Sequence, residues 1–342
     1  MAEYISFQPS DYFNTKLWTG TGSSNAITGV GFQPDFSWVK QRSGTENHFL
    51  QDAVRGSTTV IQSDTTAAEQ TASNGMTSFD SDGFTVGTDS GWNGNTSTYV
   101  GWNWKAGTST GIDLTAGTIT PSAYSISTTA GISILKYAGT GTASQTIAHG
   151  LGSVPKFMIF KKTSATAAWI VYHDYTGPTK ALFLNGSDAQ STGLSYFQNT
   201  APTSTLISTG AVGELNGTNI CYCFAEKQGF SKFGGYTGNG NADGPFIYTG
   251  FRPAWYMYKR TDSADSWNLV DSKRVGYNPD NNRLFPHSIS TEDTQDRVDL
   301  VSNGIKIRTS DTGTNNSSGT YIYMAFAEFP IVSSNDVPGT AR

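Results

Sequence analysis

The sequence is poor in charged residues and in cysteine. Only 14% of its 342 residues are Asp, Glu, Lys or Arg, and the formal net charge is −5. An average soluble domain has roughly a quarter of such residues. The basic residues are scattered, so no basic stripe is available for DNA or RNA. The two cysteines, Cys221 and Cys223, stand two apart in an apolar strand-like run, which places both side chains on one face and predicts small buried groups, with a redox or metal role as the alternative.

Long hydrophobic runs are also missing. No segment approaches the length of a membrane span. The start, Met1 to Asp11, carries Glu3 and has no basic stretch followed by an apolar core, so it does not read as a secretory signal peptide. We therefore expect synthesis in a cytoplasm, without membrane insertion.

Turn-forming and aromatic residues are abundant instead. Gly, Ser, Thr and Asn together make 142 residues, about 42% of the chain, beside 8 Trp, 16 Tyr and 19 Phe. The four small residues are weak helix formers, whereas Thr and the aromatics suit strands. Glycine has no triplet period, which excludes collagen, and so many aromatics can bury enough surface to oppose disorder. The composition predicts a globular all-β protein.

One pattern occurs three times along the chain. Each copy opens with an aromatic residue and a glycine-bracketed turn, at Trp18, Tyr137 and Tyr236. A Gly-x-x-Pro corner follows about a dozen residues later. The corner prolines are Pro34, Pro155 and Pro253. A repeat of this kind decides the architecture before any single element is assigned.

From the corner proline the copies align without a gap for 22 positions. The shared positions are an aromatic two residues on, a lysine six on, His or Trp fourteen on, Asp or His eighteen on, and Arg or Thr twenty-one on. In chain order they are Phe36, Lys40, His48, Asp52 and Arg55; Phe157, Lys161, Trp169, His173 and Thr176; and Trp255, Lys259, Trp267, Asp271 and Arg274. We expect the lysine and the acid eighteen on to form a recurrent ion pair rather than a ligand site.

The spacing of the repeated motifs divides the chain into three units, with a short segment at each end of the chain. The predicted divisions are an N-terminal anchoring segment 1–11, a first unit 12–106, a Gly/Ser/Thr-rich linker 107–131 with one strand around Tyr124 to Ser127, a second unit 132–228, a third unit 229–331 and a C-terminal tail 332–342. Seven or eight short strands fit in each unit, which predicts three tandem β-sandwiches of jelly-roll or concanavalin-like topology rather than a propeller.

Motifs for catalysis or metal binding are weak. The run Asp80 to Gly83 starts like a calcium loop, but no glutamate stands at the twelfth position. Because Asn303-Gly304 matches Asp82-Gly83 in the third unit, a hairpin turn explains both. Glu226 and Glu328 could suggest a pair of glycosidase carboxylates, but they occupy equivalent strand-end positions in different units.

The histidines show no metal-binding spacing. They are His48, His149, His173 and His287. Two of them replace Trp or Asp at repeat positions, which indicates structural slots. No serine lies in a nucleophile-elbow motif. We therefore predict no catalytic residue, no cofactor and no metal.

The candidate binding residues are Trp92, Asn93 and Asn95, in a Gly- and Asn-rich loop. No apolar neighbour in sequence indicates burial, so we expect the indole to be exposed. An exposed ring flanked by amides can stack on a sugar while the amides bind its hydroxyls. Packing against a neighbouring subunit explains the same residues equally well.

The assembled motifs resemble a repeat family found in virion proteins of tailed bacteriophages. The resemblance is carried by the runs 31–40, 52–56, 81–87, 148–152, 236–240 and 282–286, and it covers essentially the whole chain. It implies a concanavalin-like or jelly-roll fold and a structural, non-enzymatic role, and it transfers no site residue.

From that resemblance we expect a tail fibre or tail-associated adhesion protein of the virion, contacting host surface glycan or a receptor. A capsid decoration or head-fibre protein is the alternative, and a polysaccharide depolymerase is a third reading. Expected partners are other virion proteins and copies of the chain, with a trimer as the usual fibre symmetry. Tyr4, Ile5 and Phe7 would anchor the chain, and deleting Met1 to Asp11 should leave the domains folded.

Overall fold

The computed structural model describes residues 5–275, 277–278 and 282–332. Their secondary structure is almost entirely antiparallel strand, which confirms the predicted all-β sandwich class. Helix within these residues is limited to single turns: α1 (Ser90–Asn93), α2 (Leu194–Phe197) and α3 (Thr312–Asn315), with 3-10 turns at Pro9–Asp11 and Gly213–Leu215.

The strands of the first unit end at Trp104. They are β1 Phe13–Thr19, β2 Asn25–Thr28, β3 Phe36–Gln41, β4 His48–Asp52, β5 Thr59–Gln62, β6 Gln70–Thr71, β7 Met76–Asp80, β8 Gly83–Val86 and β9 Thr98–Trp104.

The remaining strands lie in the second and third units. Up to the end of the second unit they are β10 Ala123–Ser127, β11 Ile132–Gly139, β12 Gln145–Ala148, β13 Pro155–Lys162, β14 Ile170–His173, β15 Lys180–Phe183, β16 Ser191–Thr192, β17 Leu206–Thr209 and β18 Gly217–Ala225. In the third unit they are β19 Ser231–Thr237, β20 Phe246–Tyr248, β21 Phe251–Arg260, β22 Trp267–Asp271, β23 Val298–Val301, β24 Gly304–Ile307 and β25 Thr320–Pro330.

Each unit contributes one large sheet and one small sheet. The large sheets have the orders β1-β9-β3-β4-β5-β6, β10-β11-β18-β13-β14-β15-β16 and β19-β25-β21-β22 among the described residues. In each, the opening strand pairs with the closing strand, which pairs with the strand after the Gly-x-x-Pro corner. The small sheets are β2-β8-β7, β12-β17 and β20-β24-β23.

The large sheets are buried on both faces. One face packs on the small sheet of its own unit, as Val39 and Phe49 do against Phe84 and Val86 in the first unit. The opposite faces of all three large sheets meet in one shared core. Its buried aromatic members are Phe13, Phe36, Trp38, Trp102, Trp104, Phe157, Trp169, Tyr222, Phe224, Phe230, Phe233, Trp255, Trp267 and Phe326. Burial on both faces explains the nearly continuous apolar runs in these strands.

The shared core brings the three units into direct ring contact. Phe36 of the first unit lies 4.5 Å from Tyr222 of the second, measured between ring centroids. Trp104 lies 5.6 Å from Trp255 of the third unit, edge to face. A core built jointly by the three units holds them together as one body.

The segment 107–131, predicted as a Gly/Ser/Thr-rich linker with one strand, is packed on the second unit. Its strand forms as expected, as β10, and pairs with β11 at the edge of the second large sheet. Leu114 and Ile119 are buried in the core between the second unit's two sheets. Apolar side chains that cover an otherwise exposed core face make this segment part of the second unit.

The predicted anchoring segment is also packed within the chain. Ile5 is buried in the shared core, and Phe7 makes edge-to-face contacts with Tyr12 and Phe230. Deleting 1–11 would therefore uncover core surface, contrary to the expectation that the domains would be unaffected. Met1 to Tyr4, including Tyr4 itself, and residues 333–342 of the predicted tail lie outside the described residues.

Candidate functional site

The predicted binding loop around Trp92 is a structural element. Trp92 is buried, stacks on Phe49 at 3.7 Å between ring centroids and donates its indole N–H to Gln51. Asn93 is fully buried and its amide donates to the backbone oxygens of Ser23 and Gly87. Only Asn95 is exposed. The prediction of an exposed stacking ring is wrong, because the single turn α1 directs Trp92 inward onto β4.

The recurrent lysine does not pair with the acid eighteen residues after the proline. In the β3–β4 pair, Phe36 lies opposite Asp52 and Lys40 lies opposite His48, so lysine and acid stand at opposite ends. The Lys40 ammonium instead donates to the backbone oxygens of Gln41, Gly44 and Ile289. Burial lowers the pKa of Lys40, Lys161 and Lys259 to about 8 each. The predicted ion pair is wrong.

The acid at the first-to-second junction pairs with an arginine three residues on. Asp52 accepts from Arg55 Nε at 2.6 Å, and both side chains are almost fully buried. The same carboxylate accepts the Tyr222 hydroxyl of the second unit at 2.7 Å. Arg55 also lies 3.3 Å from Glu69. The group therefore links two units through one desolvated charge network.

The third-to-first junction repeats this arrangement. Asp271 accepts from Arg274 Nε at 2.6 Å and from the indole N–H of Trp102 at 2.9 Å. Trp102 stands in β9 where Tyr222 stands in β18. The Glu292 carboxylate forms ion pairs with two guanidinium groups, with Arg274 Nη1 at 3.1 Å and with Arg42 Nε at 2.8 Å. Burial alone would raise the pKa of Glu292, but these cations and their hydrogen bonds lower it to about 2.

The second-to-third junction is built without that ion pair. His173 replaces the acid, Thr176 replaces the arginine, and Met324 stands at the position of Trp102 and Tyr222. His173 Nδ1 accepts from the Tyr175 amide at 3.0 Å, so Nε2 carries the proton and donates to the Tyr323 oxygen, also at 3.0 Å. Burial lowers the pKa of His173 to about 4. At this junction the acid, the arginine and the aromatic residue that donates a hydrogen bond to the acid are therefore all replaced.

A backbone hydrogen bond from one unit to the next crosses each of the three junctions. Glu69 donates to Thr163 at 3.1 Å, Gln190 to Thr261 at 2.8 Å and Glu292 to Arg42 at 3.2 Å. The first residue of each pair lies in one unit and the second in the next, with the third unit returning to the first. The recurrent polar positions therefore join the units and do not meet in a common cleft.

The two cysteines and His48 also have structural roles. Cys221 and Cys223 are buried on one face as free thiols, 3.4 Å apart between sulfurs, which confirms the burial prediction. His48 accepts from the Trp38 indole at 2.9 Å. No group of three or more His, Cys, Asp or Glu among the described residues could hold a metal ion.

The Asp-Gly and Asn-Gly turns form hairpins as predicted. Asp80 pairs with Gly83 and Val301 with Gly304. The Asp82 carboxylate accepts the backbone N–H groups of Gly29 and Gly31, at 2.9 and 2.6 Å, so it caps a neighbouring turn.

The two glutamates that end equivalent strands stand in different settings. Glu226 pairs with Lys232 at 2.7 Å and borders an open cavity that includes Tyr248. Glu328 lies 3.2 Å from Arg252 and 3.5 Å from Lys273, at the seam between the third unit and the first. Each glutamate belongs to its own cavity, consistent with the strand-end interpretation.

The cavity beside Glu328 is the strongest candidate site. It encloses about 320 Å³ and is lined by Ser10, Phe13, Asn14, Thr15, Ala254, Lys273, Ala327, Glu328 and Phe329. Sequence reasoning did not find this site, because its walls come from two units. One signal was present: Thr15 stands where the other units have Ile134 and Phe233, a small polar residue at an otherwise large apolar position.

Comparison with known proteins identifies a family for the chain. No curated protein and no solved structure matches the chain. The described residues contain no helix long and apolar enough to cross a membrane. One family model matches residues 8–330, spanning all three units and the segment between the first two. The chain therefore belongs to the family described as a domain of unknown function, DUF7483.

Proposed function

We propose that the protein is a structural component of a tailed-bacteriophage virion, a tail fibre or tail-associated adhesion protein that contacts the host surface. The observation that carries the proposal is that the recurrent polar residues join neighbouring units. Asp52, His173 and Asp271 each reach the closing strand of the next unit, at Tyr222, Tyr323 and Trp102. The most distinctive chemistry of the repeat thus serves to build one rigid body.

The motif resemblance supports the same role. Its motifs lie on the elements that build this body: 31–40 spans a Gly-x-x-Pro corner and β3, and 81–87 spans a hairpin. Compact sheets joined by a shared core resist unfolding without disulfides, which suits a particle that persists outside a cell. Exposed aromatic side chains, including Tyr248 at 57% and Phe329 at 53%, offer contact points for a partner or a glycan.

The proposal includes partners and assembly. Other virion proteins would hold the chain on the particle, and host glycan or a receptor would meet its exposed face. Copies of the chain would associate, with a trimer as the expected state. Light scattering of the purified protein measures that state directly.

Location on the particle tests the proposal. Purified virions would be probed by mass spectrometry for this chain and labelled with gold-conjugated antibodies raised against it. We expect the chain in the particle and the gold at the tail. Gold over the head would replace the tail assignment with a capsid decoration or head-fibre role. Absence of the chain from virions would overturn the proposal, and release of reducing ends from host polysaccharide would replace it with depolymerase activity.

A further inference from the structure

The small sheet of each unit has a short strand at one edge. These equivalent strands are β2, β12 and β20, and each carries one buried isoleucine: Ile27, Ile147 or Ile247. The outer side of an edge strand presents backbone N–H and C=O groups that the sheet itself does not pair. The three units differ in what lies beside this edge.

In the second unit the chain covers the edge itself. Ile119 forms a parallel bridge with Ile147, and its N–H donates to the Thr146 oxygen at 2.9 Å. The Thr146 N–H donates in turn to the Thr118 hydroxyl at 2.8 Å. Both residues of the covering piece belong to the segment 107–131, which has no counterpart between the second and third units. The edge therefore accepts an extended segment in parallel orientation.

In the third unit the equivalent edge is open. The Pro245 oxygen accepts from the Ile307 N–H of β24, so every second residue counted from Pro245 faces that strand. The backbone N–H and C=O groups of Phe246 and Tyr248 therefore point away from the sheet. Nothing in the described part of the chain hydrogen-bonds to them. Phe246 has the place that Thr146 has in the second unit, without the covering segment.

Two exposed aromatic rings flank this open edge. Phe246 is 48% exposed and Tyr248 is 57% exposed, while Ile247 between them is buried. The residues that flank the buried isoleucine in the first two units are small: Ala26 and Thr28, and Thr146 and Ala148. Large apolar side chains grouped on a surface mark interaction sites. Of the three edges, the one on β20 combines unpaired backbone groups with such rings.

A cavity of about 300 Å³ continues the open edge. It lies between the end of β20, at Tyr248, and the start of β19, at Lys232. In the second unit the chain passes between the equivalent strands, because 120–122 lead from β12 to β10, which pairs with β11. Glu226 and Lys232 line the cavity as an ion pair 2.7 Å apart, and each is about one-third exposed. They offer an acceptor and a donor to a segment that runs on from β20.

We propose that the edge of β20 binds an extended segment of another virion protein by parallel strand addition. The segment's backbone bonds Phe246 and Tyr248, a β-branched apolar residue in the place of Ile119 packs beside the two rings, and the following residues enter the cavity. Because Pro245 has no N–H, the pairing is confined to three residues of β20, so the rings supply much of the binding energy.

A second copy of this chain does not fit the same geometry. Two β20 strands related by a twofold axis would run antiparallel, and the copy's own Ile119 already lies on its second unit. That the partner is a virion protein rests on the proposed function. The strand addition itself rests on the comparison of the three units.

Fluorescence anisotropy with a labelled synthetic peptide tests the site on the full chain. The peptide has the sequence of residues 115–128 of this chain, which already covers the equivalent edge in the second unit. We expect saturable binding, and no binding by a peptide with Asp in place of Ile119. Phe246→Thr and Tyr248→Thr, which install the residues of the second and first units, should each weaken binding about tenfold, the effect of losing one ring contact.

Tyr248→Pro tests the backbone contribution. It removes an N–H that points away from the sheet, so it should abolish peptide binding while the thermal unfolding midpoint changes little. Thr28→Pro is the matched control, at the same edge position of β2 in the first unit. Phe329→Thr is the control for ring loss, because this side chain is 53% exposed and lies on β25. Both controls should bind the peptide as the unaltered chain does.

Photochemical labelling tests the position and direction of the bound peptide. A diazirine in the place of Ile119 should label Phe246 to Tyr248, and one in the place of Pro121 should label the cavity at Glu226 or Lys232. The opposite order would mean antiparallel binding. Labelling of other surfaces would place the peptide elsewhere.

The outcomes separate this inference from the proposed function. No saturable binding, unaltered binding by both threonine variants, either failure of the labelling pattern, or a dimer that Tyr248→Pro dissociates would overturn the strand-addition site. None of these results moves the gold label on the virion. Conversely, a chain absent from virions could still bind the peptide through β20.

Lysine cross-linking of intact virions tests the partner. Lys306, which pairs with Phe246 on the neighbouring strand, and Lys232 in the cavity should be joined to another virion protein. Cross-links from these lysines to a second copy, or none outside the chain, would overturn the partner assignment.

Discussion

The buried Asp271–Arg274 pair offers a quantitative test of how the units are joined. Asp271 accepts four hydrogen bonds: from the backbone of Lys273 and Arg274, from Arg274 Nε and from Trp102. Both charged side chains are fully buried. In Asp271→Asn the remaining oxygen can keep the two backbone bonds, but the new NH₂ group faces two donors. The variant removes charge and acceptor while keeping the volume.

The expected loss is about 3 kcal/mol in the free energy of unfolding. Breaking a buried ion pair by removing one partner costs about 3–5 kcal/mol. The lower end applies because Arg274 retains Glu292 at 3.1 Å and the Leu269 oxygen at 3.1 Å. A second substitution, Arg274→Met, should cost less in the Asp271→Asn background than alone, since the stranded cation is then gone.

Urea unfolding at pH 7, followed by tryptophan fluorescence, measures both effects. Asp174→Asn is the control: its pair with Lys156 is solvent-exposed and should contribute only about 0–1 kcal/mol. If Asp271→Asn loses no more than Asp174→Asn, or if the two substitutions at the buried pair simply add, the argument that this network joins the units fails.

Three further predictions concern pH, backbone strain and thiol access. The pKa of His173 falls from about 6.5 unfolded to about 4 folded, so stability should be complete above pH 6.5 and decline as pH falls towards 4; His173→Gln should reduce that slope in urea midpoints. Gly83→Ala should lower the melting temperature far more than Gly56→Ala, because both have positive φ but only the Gly83 Cβ would meet a backbone oxygen, at 1.9 Å; equal losses would refute the clash. Cys221 and Cys223 should resist a thiol reagent until the chain unfolds, and rapid labelling of native protein would contradict their burial.

Sequence reasoning succeeded where local spacing carries the information. Alternating apolar residues and the glycine-containing turns predicted strands and hairpins, and the pairs Asp80 with Gly83 and Val301 with Gly304 formed. The two cysteines, two apart on a strand, lie on one buried face for the same reason. Such features depend on a few neighbouring residues, so one segment suffices to predict them.

It failed where a side chain's partner comes from another element. The neighbours of Trp92 in sequence are Gly and Asn, but its ring stacks on Phe49, more than forty residues away. The lysine and the acid of each repeat have opposite charges, but strand register places Lys40 opposite His48. Complementary charge in a motif therefore did not identify the pair, and the arginine three residues after the acid took that role.

The sequence by itself determined the all-β class, the hairpins and the positions at which the same chemistry recurs, because these follow from composition, alternation and spacing along one segment. Only the tertiary structure decided that the three large sheets share a core, that the recurrent acids or histidine bind the next unit, and that Thr15 opens a cavity beside Glu328 and Phe329. Each of these depends on residues from different units. Their proximity is set by packing around a common core, which no single stretch of sequence records.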